Sequence, residues 1–532
     1  MRRRRLSSVV AIAAIGALCA CGGSGSPSGA GAGGGSGAAG GTGAGAGAGS
    51  GSTGGFQVPG GGLLGGGGIG TGGGGSGLAP NAEVFATNAL NDLIEVFDLR
   101  AGASVATLPV QGPTFITKDA SAGRMLVTAA GDRSLVSLDI TTRSQTGSVR
   151  LDTGEMTQYP AISFLDPLLA AVYVPTGALH MNGMTFVPGL VSTAVVVNNQ
   201  KVRGIIDLDT SGLGTSPSLL TLLSTPVEGL GAYAAAQAGG LVYVTNLFSS
   251  TVTVIDPALV LNQAADPVVL TIPITGTAGG AALPTGIVAD DQGKLYVPCF
   301  LSGDVAIIDP RNNHAVSYLA GVGVGPIAAA FRPGGGQGAV PFVYVANFFD
   351  GTVIEIDTTI GMVTNTFPVQ NGSAFFAAMG LSPQQFQQML QAAFQQLGIP
   401  AGGTTSAGNT ANFMNALLGA LSGGQSGQQA MGQVLMALIG QLLQSVMQQA
   451  GFNTQGGIGS AFTSVFQQVP LPGLTDVEVT RNGTLVAGSL FGVLPVYDPA
   501  SNTGTAIPSN AAFQSAAAMP FAGLAAVAVH DR

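Results

Sequence analysis

A short hairpin of fixed length recurs along this chain, and it constrains the fold more than any other feature. In VYVTNLFSSTVTVID one alternating strand ends at Asn246, a polar turn follows, and a second strand ends at Asp256, ten residues later. The same offset links Asn88 to Asp98, Ala129 to Asp139, Cys299 to Asp309, Asn347 to Asp357 and Gly488 to Asp498. Alternation with period two, bounded by turn residues, reads as antiparallel hairpins, and repetition on this scale reads as a repeat architecture. A further copy is expected from Val172-Tyr-Val-Pro-Thr176 to Asn198, with twelve extra residues around HMNGMTFVPG in its hairpin.

Each hairpin has flanking strands. Upstream stands a segment such as PTFITKDASAG from 113, PTGIVADDQG from 284 or LTDVEVTRNG from 474; downstream stands one such as ASVATLPV at 103–110 or MVTNTFPV at 362–369. Four strands per unit make one antiparallel sheet, and such a sheet covers its two faces only by stacking radially on others. Tyr243-Val-Thr-Asn246 resembles the motif of the YVTN family of β-propeller repeats over about 81–370 and 471–532. The first copy has no upstream strand, whereas the chain ends in an orphan strand of that type, Pro520 to Val529. Pairing of the two removes an open edge. The expectation is an all-β, seven-bladed β-propeller of four-stranded blades closed by the C-terminal strand, with an α-helical insertion between blades six and seven.

That insertion, residues 371–470, contains no Asp, Glu, Lys, Arg or His. Ser382-Pro383-Gln384-Gln385 fits a capping box with Pro at the first helical position, and Leu381 with Phe386 fits a hydrophobic staple. Phe386, Met389, Leu390, Ala393, Phe394 and Leu397 then fall at helical spacing, and Gly398 is a natural stop. Two further helices are expected at 411–421 and from Ser426 to about Gly451. The insertion reads either as a small bundle packed on the propeller or as a Met/Leu-rich partner surface.

The N-terminus is a targeting segment. Arg2–Arg5 precede a short apolar run, Val9–Leu18, too short for the ~20 residues that cross a bilayer. Leu18-Cys19-Ala20-Cys21 resembles the lipobox of bacterial lipoproteins. The resemblance implies a signal peptide over 1–20, cleavage before Cys21 and lipidation (palmitate) of its sulfur; an ordinary signal peptide cut nearby is the alternative. Residues 22–80 are Gly-, Ala- and Ser-rich and uncharged, a composition expected to stay disordered, so 21–80 reads as an anchored linker reaching roughly 40 Å. Loss of residues 1–20 would move net charge from −9 to −13, which disfavours nucleic acid as a partner.

Little chemistry is legible. There is no Trp, so the repeated docking positions of quinone-dependent propellers are missing, and no Cys-x-x-Cys-His haem site appears. His180, His314 and His530 are scattered, which argues against convergence on a metal, and no cofactor is expected. Charged candidates near strand ends are Lys118, Asp119, Asp290, Asp291, Glu478 and Asp531. The repeated Asp98, Asp139, Asp256, Asp309, Asp357 and Asp498, like Asn88, Asn246 and Asn347, read as structural turn residues. Cys299, in the Asn slot, reads as a small buried hydrophobe. The expected role is a membrane-anchored cell-envelope lipoprotein, on the outer membrane and facing the periplasm or the surface. It would be a non-catalytic binding or scaffold platform for envelope proteins, with a lactonase-like hydrolase acting at the channel mouth as the alternative.

Overall fold

The computed structural model describes residues 81–396 and 472–532, apart from short breaks and the stretches 152–175 and 198–221. The signal segment, Cys21, the linker and the second and third insertion helices lie outside the described residues.

Among the described residues the chain forms seven four-stranded antiparallel sheets and one two-stranded sheet. The blades are not all alike. Six are built from four consecutive strands, whereas the first joins both ends of the chain. There Leu524–Asp531 pairs with Ala82–Asn88, in the register Ala82↔Asp531, Val84↔Val529 and Asn88↔Leu524. The closing strand thus starts later than the expected Pro520; Pro520 and Phe521 pair instead with Phe513 and Gln514. Inner strands touch in succession: Pro113–Asp119 against Leu524–Asp531, the latter against Leu474–Val479, and that one against Pro326–Arg332. This is a β-propeller of four-stranded antiparallel blades around a central channel.

The third sheet corrects the reading of VYVPT as a hairpin strand. Met184–Pro188 pairs with Thr193–Val197, Pro188 opposite Thr193, as Asn246 stands opposite Thr251. Pro188 therefore holds the Asn slot, ten residues before Asn198, and the hairpin has no insertion. Thr176 belongs to the inner-strand start, like Thr285. Its hydroxyl donates to Pro188 O (3.1 Å) in its own sheet and to Ala232 O (3.1 Å) in the next. Thr285 does the same to Pro298 O and Pro326 O, and Thr475 to Leu524 O. A buried hydroxyl with two such partners ties adjacent sheets together where backbone carbonyls would otherwise lack donors.

The repeated Asp residues turn the chain at the outer hairpins. Asp98, Asp139, Asp256, Asp309, Asp357 and Asp498 each accept a bond at Oδ1 from a backbone N–H two or three residues on. At the other end of the strands Asn246 Nδ2 donates to Thr251 and Thr253 Oγ1, and Asn347 Nδ2 to Thr352 Oγ1 and Val322 O. Asn88 accepts at Oδ1 from Asn91. Cys299 is fully buried, its thiol raised to about 12 by burial, and it packs in the apolar cluster between the fourth and fifth sheets.

Helix is sparse among the described residues: α1 (Pro257–Asn262), α2 (Ser373–Met379) and α3 (Pro383–Gln396). The expected capping box is present, Gln385 N donating to Ser382 Oγ (3.1 Å) and Ser382 N to Gln385 Oε1 (2.8 Å). α2 and α3 dock on the turns after the Asn slots of the fifth and sixth sheets. Phe386 meets Phe349 edge-on at 4.8 Å and lies 5.7 Å from both Phe375 and Phe376. Gln387 Nε2 donates to the carbonyls of Phe300 and Leu301, and Gln391 Nε2 to Ser302 O. An amide face suits this seat because it supplies N–H donors to the bare turn carbonyls without burying a charge.

Candidate functional site

Five inner strands share a register shift at their first residues, between Pro113 and Phe115, Ala232 and Ala235, Pro326 and Ala328, Leu474 and Asp476, and Leu524 and Val527. A bulge of this kind re-aims the side chains that follow it. In the slot after the shift, Phe115 lies opposite Thr128, Ala328 opposite Ala346 and Asp476 opposite Gly488. Most other sheets keep small residues there. Gly177 and Gly286 sit so close to the next sheet that a Cβ would stand 3.0 Å from Tyr233 O and 3.1 Å from Ile327 O.

Asp476 brings a charge to this slot, and its carboxylate is held at the seam where the ring closes. Oδ2 accepts from Val527 N on the inner strand of the first sheet (2.8 Å), and Oδ1 from Val477 N (2.9 Å). Two residues on, Glu478 points the same way. Both residues are half-buried. Burial, which these bonds offset only in part, pushes Asp476 up to about 7. Burial and the neighbouring Asp476 charge push Glu478 up to about 8, with Lys118 acting in the opposite sense.

Further charged groups lie on the first, second and seventh sheets. Arg481 N donates to Asp531 Oδ1 (3.2 Å). Arg532 and Arg143 both pair with the buried Glu83, and Arg124 pairs with Asp119 at 3.0 Å. His530 is held below the usual imidazole range by burial, and then by Lys118. Tyr233, on the inner strand of the fourth sheet, is half-buried. It takes the inner-strand position that Thr176, Thr285 and Thr475 use to tie sheets together; its ring packs beside the large cluster of the fifth to seventh sheets. Burial, and then the Asp476 charge, raise its hydroxyl above the ordinary phenol range.

Of the residues singled out in sequence, the structure brings Lys118, Glu478, His530 and Asp531 to one seam. It keeps the others apart. His180 bonds Thr185 (2.9 Å), His314 bonds Tyr243 (3.0 Å), and Asp290 caps its own turn through Gln292 N and Lys294 N. Among the described residues no three His, Cys, Asp or Glu side chains gather in a way that could hold a metal ion. Sequence reading missed Asp476 and Tyr233. The available signal was their departure from the repeat, Asp where most other copies have Gly or Ala, and Tyr where most have Thr.

No protein-family model matches the chain, and no curated protein matches it. Among solved structures, AztD from Citrobacter koseri is similar at 10% identity and a TM-score of 0.40, covering 84% of this chain and 97% of that one. Virginiamycin B lyase from Staphylococcus aureus is similar at 11% identity and a TM-score of 0.39, covering 56% and 86%. Hydrazine synthase from Kuenenia stuttgartiensis is similar at 12% identity and a TM-score of 0.39, covering 80% and 92%. These likenesses say nothing about activity or ligand.

Proposed function

We propose that the chain is a lipoprotein of the bacterial cell envelope, anchored through Cys21, whose seven-bladed YVTN-type propeller is a non-catalytic binding platform for protein partners. The observation that supports this reading is the seat of the insertion. α2 and α3 are built into the propeller core through Phe375, Phe376, Phe386 and Leu390, so residues 397–471 start and end on a fixed base. Rigid roots favour presentation of a surface, because less ordering entropy is lost on binding. Replacing 397–471 with a Gly/Ser linker keeps that base. The variant should melt like the full chain but lose the proteins that co-purify with wild type from solubilised membranes. Retention of every partner would remove the insertion from the platform.

The alternative, a hydrolase acting at the channel, is favoured by Asp476 and Glu478. Carboxyls that change protonation near neutral pH inside a channel suit general acid–base work. Turnover of a lactone panel by wild type, lost in a folded Glu478→Gln variant, would establish it in place of the platform.

A further inference from the structure

We propose that Asn371 is a site of spontaneous deamidation, and that the reaction sets a carboxylate into the root of the otherwise uncharged insertion. The inference is independent of the platform reading, since it concerns the reactivity of one side chain and not what the insertion binds.

The chain holds three Asn-Gly pairs, at 182, 371 and 482. The first lies outside the described residues; in the other two the Asn is exposed and the Gly buried. Packing imposes the glycine in both. A Cβ on Gly372 would overlap Asp350 O, and one on Gly483, where φ is +91°, would stand 2.7 Å from Arg332 Nη1. Glycine has no side chain to hinder its own backbone nitrogen. Packing alone therefore sets an unhindered nitrogen beside each amide.

The reaction needs no partner but water. Gly372 N attacks Asn371 Cγ, the Cγ–Nδ2 bond breaks, and ammonia leaves with the proton that the nitrogen loses. Water then opens the succinimide at either carbonyl, which gives Asp or isoaspartate, each with one carboxylate. Ser373 Oγ donates to Asn371 Oδ1 (2.7 Å), and a donor there stabilises the negative charge that the oxygen gains as the nitrogen adds. Thr480 Oγ donates to Asn482 Oδ1 in the same way, so both amides are activated. They differ at the attacking nitrogen. Gly483 N donates to Thr480 O (2.9 Å), which holds it in its turn. The first turn of α2 instead takes Gly372 by its carbonyl, which accepts from Phe375 N (3.1 Å) and Phe376 N (3.3 Å). Asn371 should therefore react, and Asn482 should be spared.

Peptide mapping by mass spectrometry of the full chain, aged in mildly alkaline buffer, tests the site. The expected result is conversion at Asn371 at least about fivefold faster than at Asn482, which is what one backbone hydrogen bond of typical strength holds back. In denaturing urea both pairs lose their surroundings, and the two rates should converge. Ser373→Ala, at an exposed position, should slow Asn371 severalfold while the melting temperature stays put. Asn371→Asp should elute from an anion exchanger with the aged wild-type fraction. Three results would each overturn the proposal: conversion at Asn482 as fast as at Asn371 in the folded chain, a rate difference that persists in urea, or an Asn371 amide that stays intact while the unfolded chain converts.

Discussion

Truncation after Gly523 should abolish cooperative folding of the propeller. The deleted strand supplies Leu524, Ala526, Val527 and Ala528, all buried, to the apolar clusters on both sides of the first sheet. Its loss also removes the Thr475 bond to Leu524 O, the Thr87 bonds to Ala526 and the Val527 bond to Asp476. Arg532 leaves as well, and with it a partner of the buried Glu83. At about 1.5–3 kcal/mol for each large apolar side chain buried, with unsatisfied polar groups added, the loss rivals the 5–15 kcal/mol that holds a typical domain together. Circular dichroism should show no sharp thermal transition. A synthetic peptide spanning 520–532, added in trans, should restore part of it by occupying the free edge of Ala82–Asn88. A truncated chain that melts like wild type would mean the ring does not depend on its closing strand.

Phe386→Ala should destabilise the propeller by about 3–5 kcal/mol, the usual cost of emptying a buried aromatic site. Phe386 is 3% exposed, and its neighbours Phe349, Phe375 and Phe376 come from both the sixth sheet and α2. No one element can close the gap by moving. Phe386→Leu preserves most of the volume and should cost far less. Denaturant titration of both variants separates them. Equal and small losses would show that α3 rests on the propeller without being part of its core. By the same argument, deleting all of 371–470 damages the fold itself, which is why a partner test must spare α2 and α3.

The hairpin repeat made the fold legible because each unit exposes a sheet that only its neighbours can cover. The missing upstream strand before Ala82 likewise located the closure at the C-terminus. VYVPT misled because it has the look of a hairpin strand; the decisive residues were Pro175-Thr176-Gly177, which match Pro284-Thr285-Gly286. The Thr hydroxyl serves as a tie between sheets, a role that only three-dimensional stacking reveals. The site was less legible for a related reason. In an isolated sheet, LTDVEV alternates apolar and polar as if Asp476 and Glu478 faced solvent. An inner propeller strand has no solvent face, only a lumen, so the same alternation places two carboxyls inside the protein. The capping box at Ser382 was legible because it depends on neighbours three residues apart.

The account rests on a closed ring that holds Asp476 and Glu478 at its seam, partly shielded from water, and their titration tests this directly. Both keep protons in the folded chain that the unfolded chain, with ordinary values of 3.8 and 4.5, has already released. Between those values and about 7 to 8 the folded state binds more protons, so stability should fall as pH rises through that window and level off above it. Carbon-13 NMR of the labelled side-chain carboxyls, assigned through Asp476→Asn and Glu478→Gln, should show two groups titrating at about 7 and about 8. If both carboxyls titrate near 4, as free side chains do, the seam is open to water and the enclosed channel site does not exist.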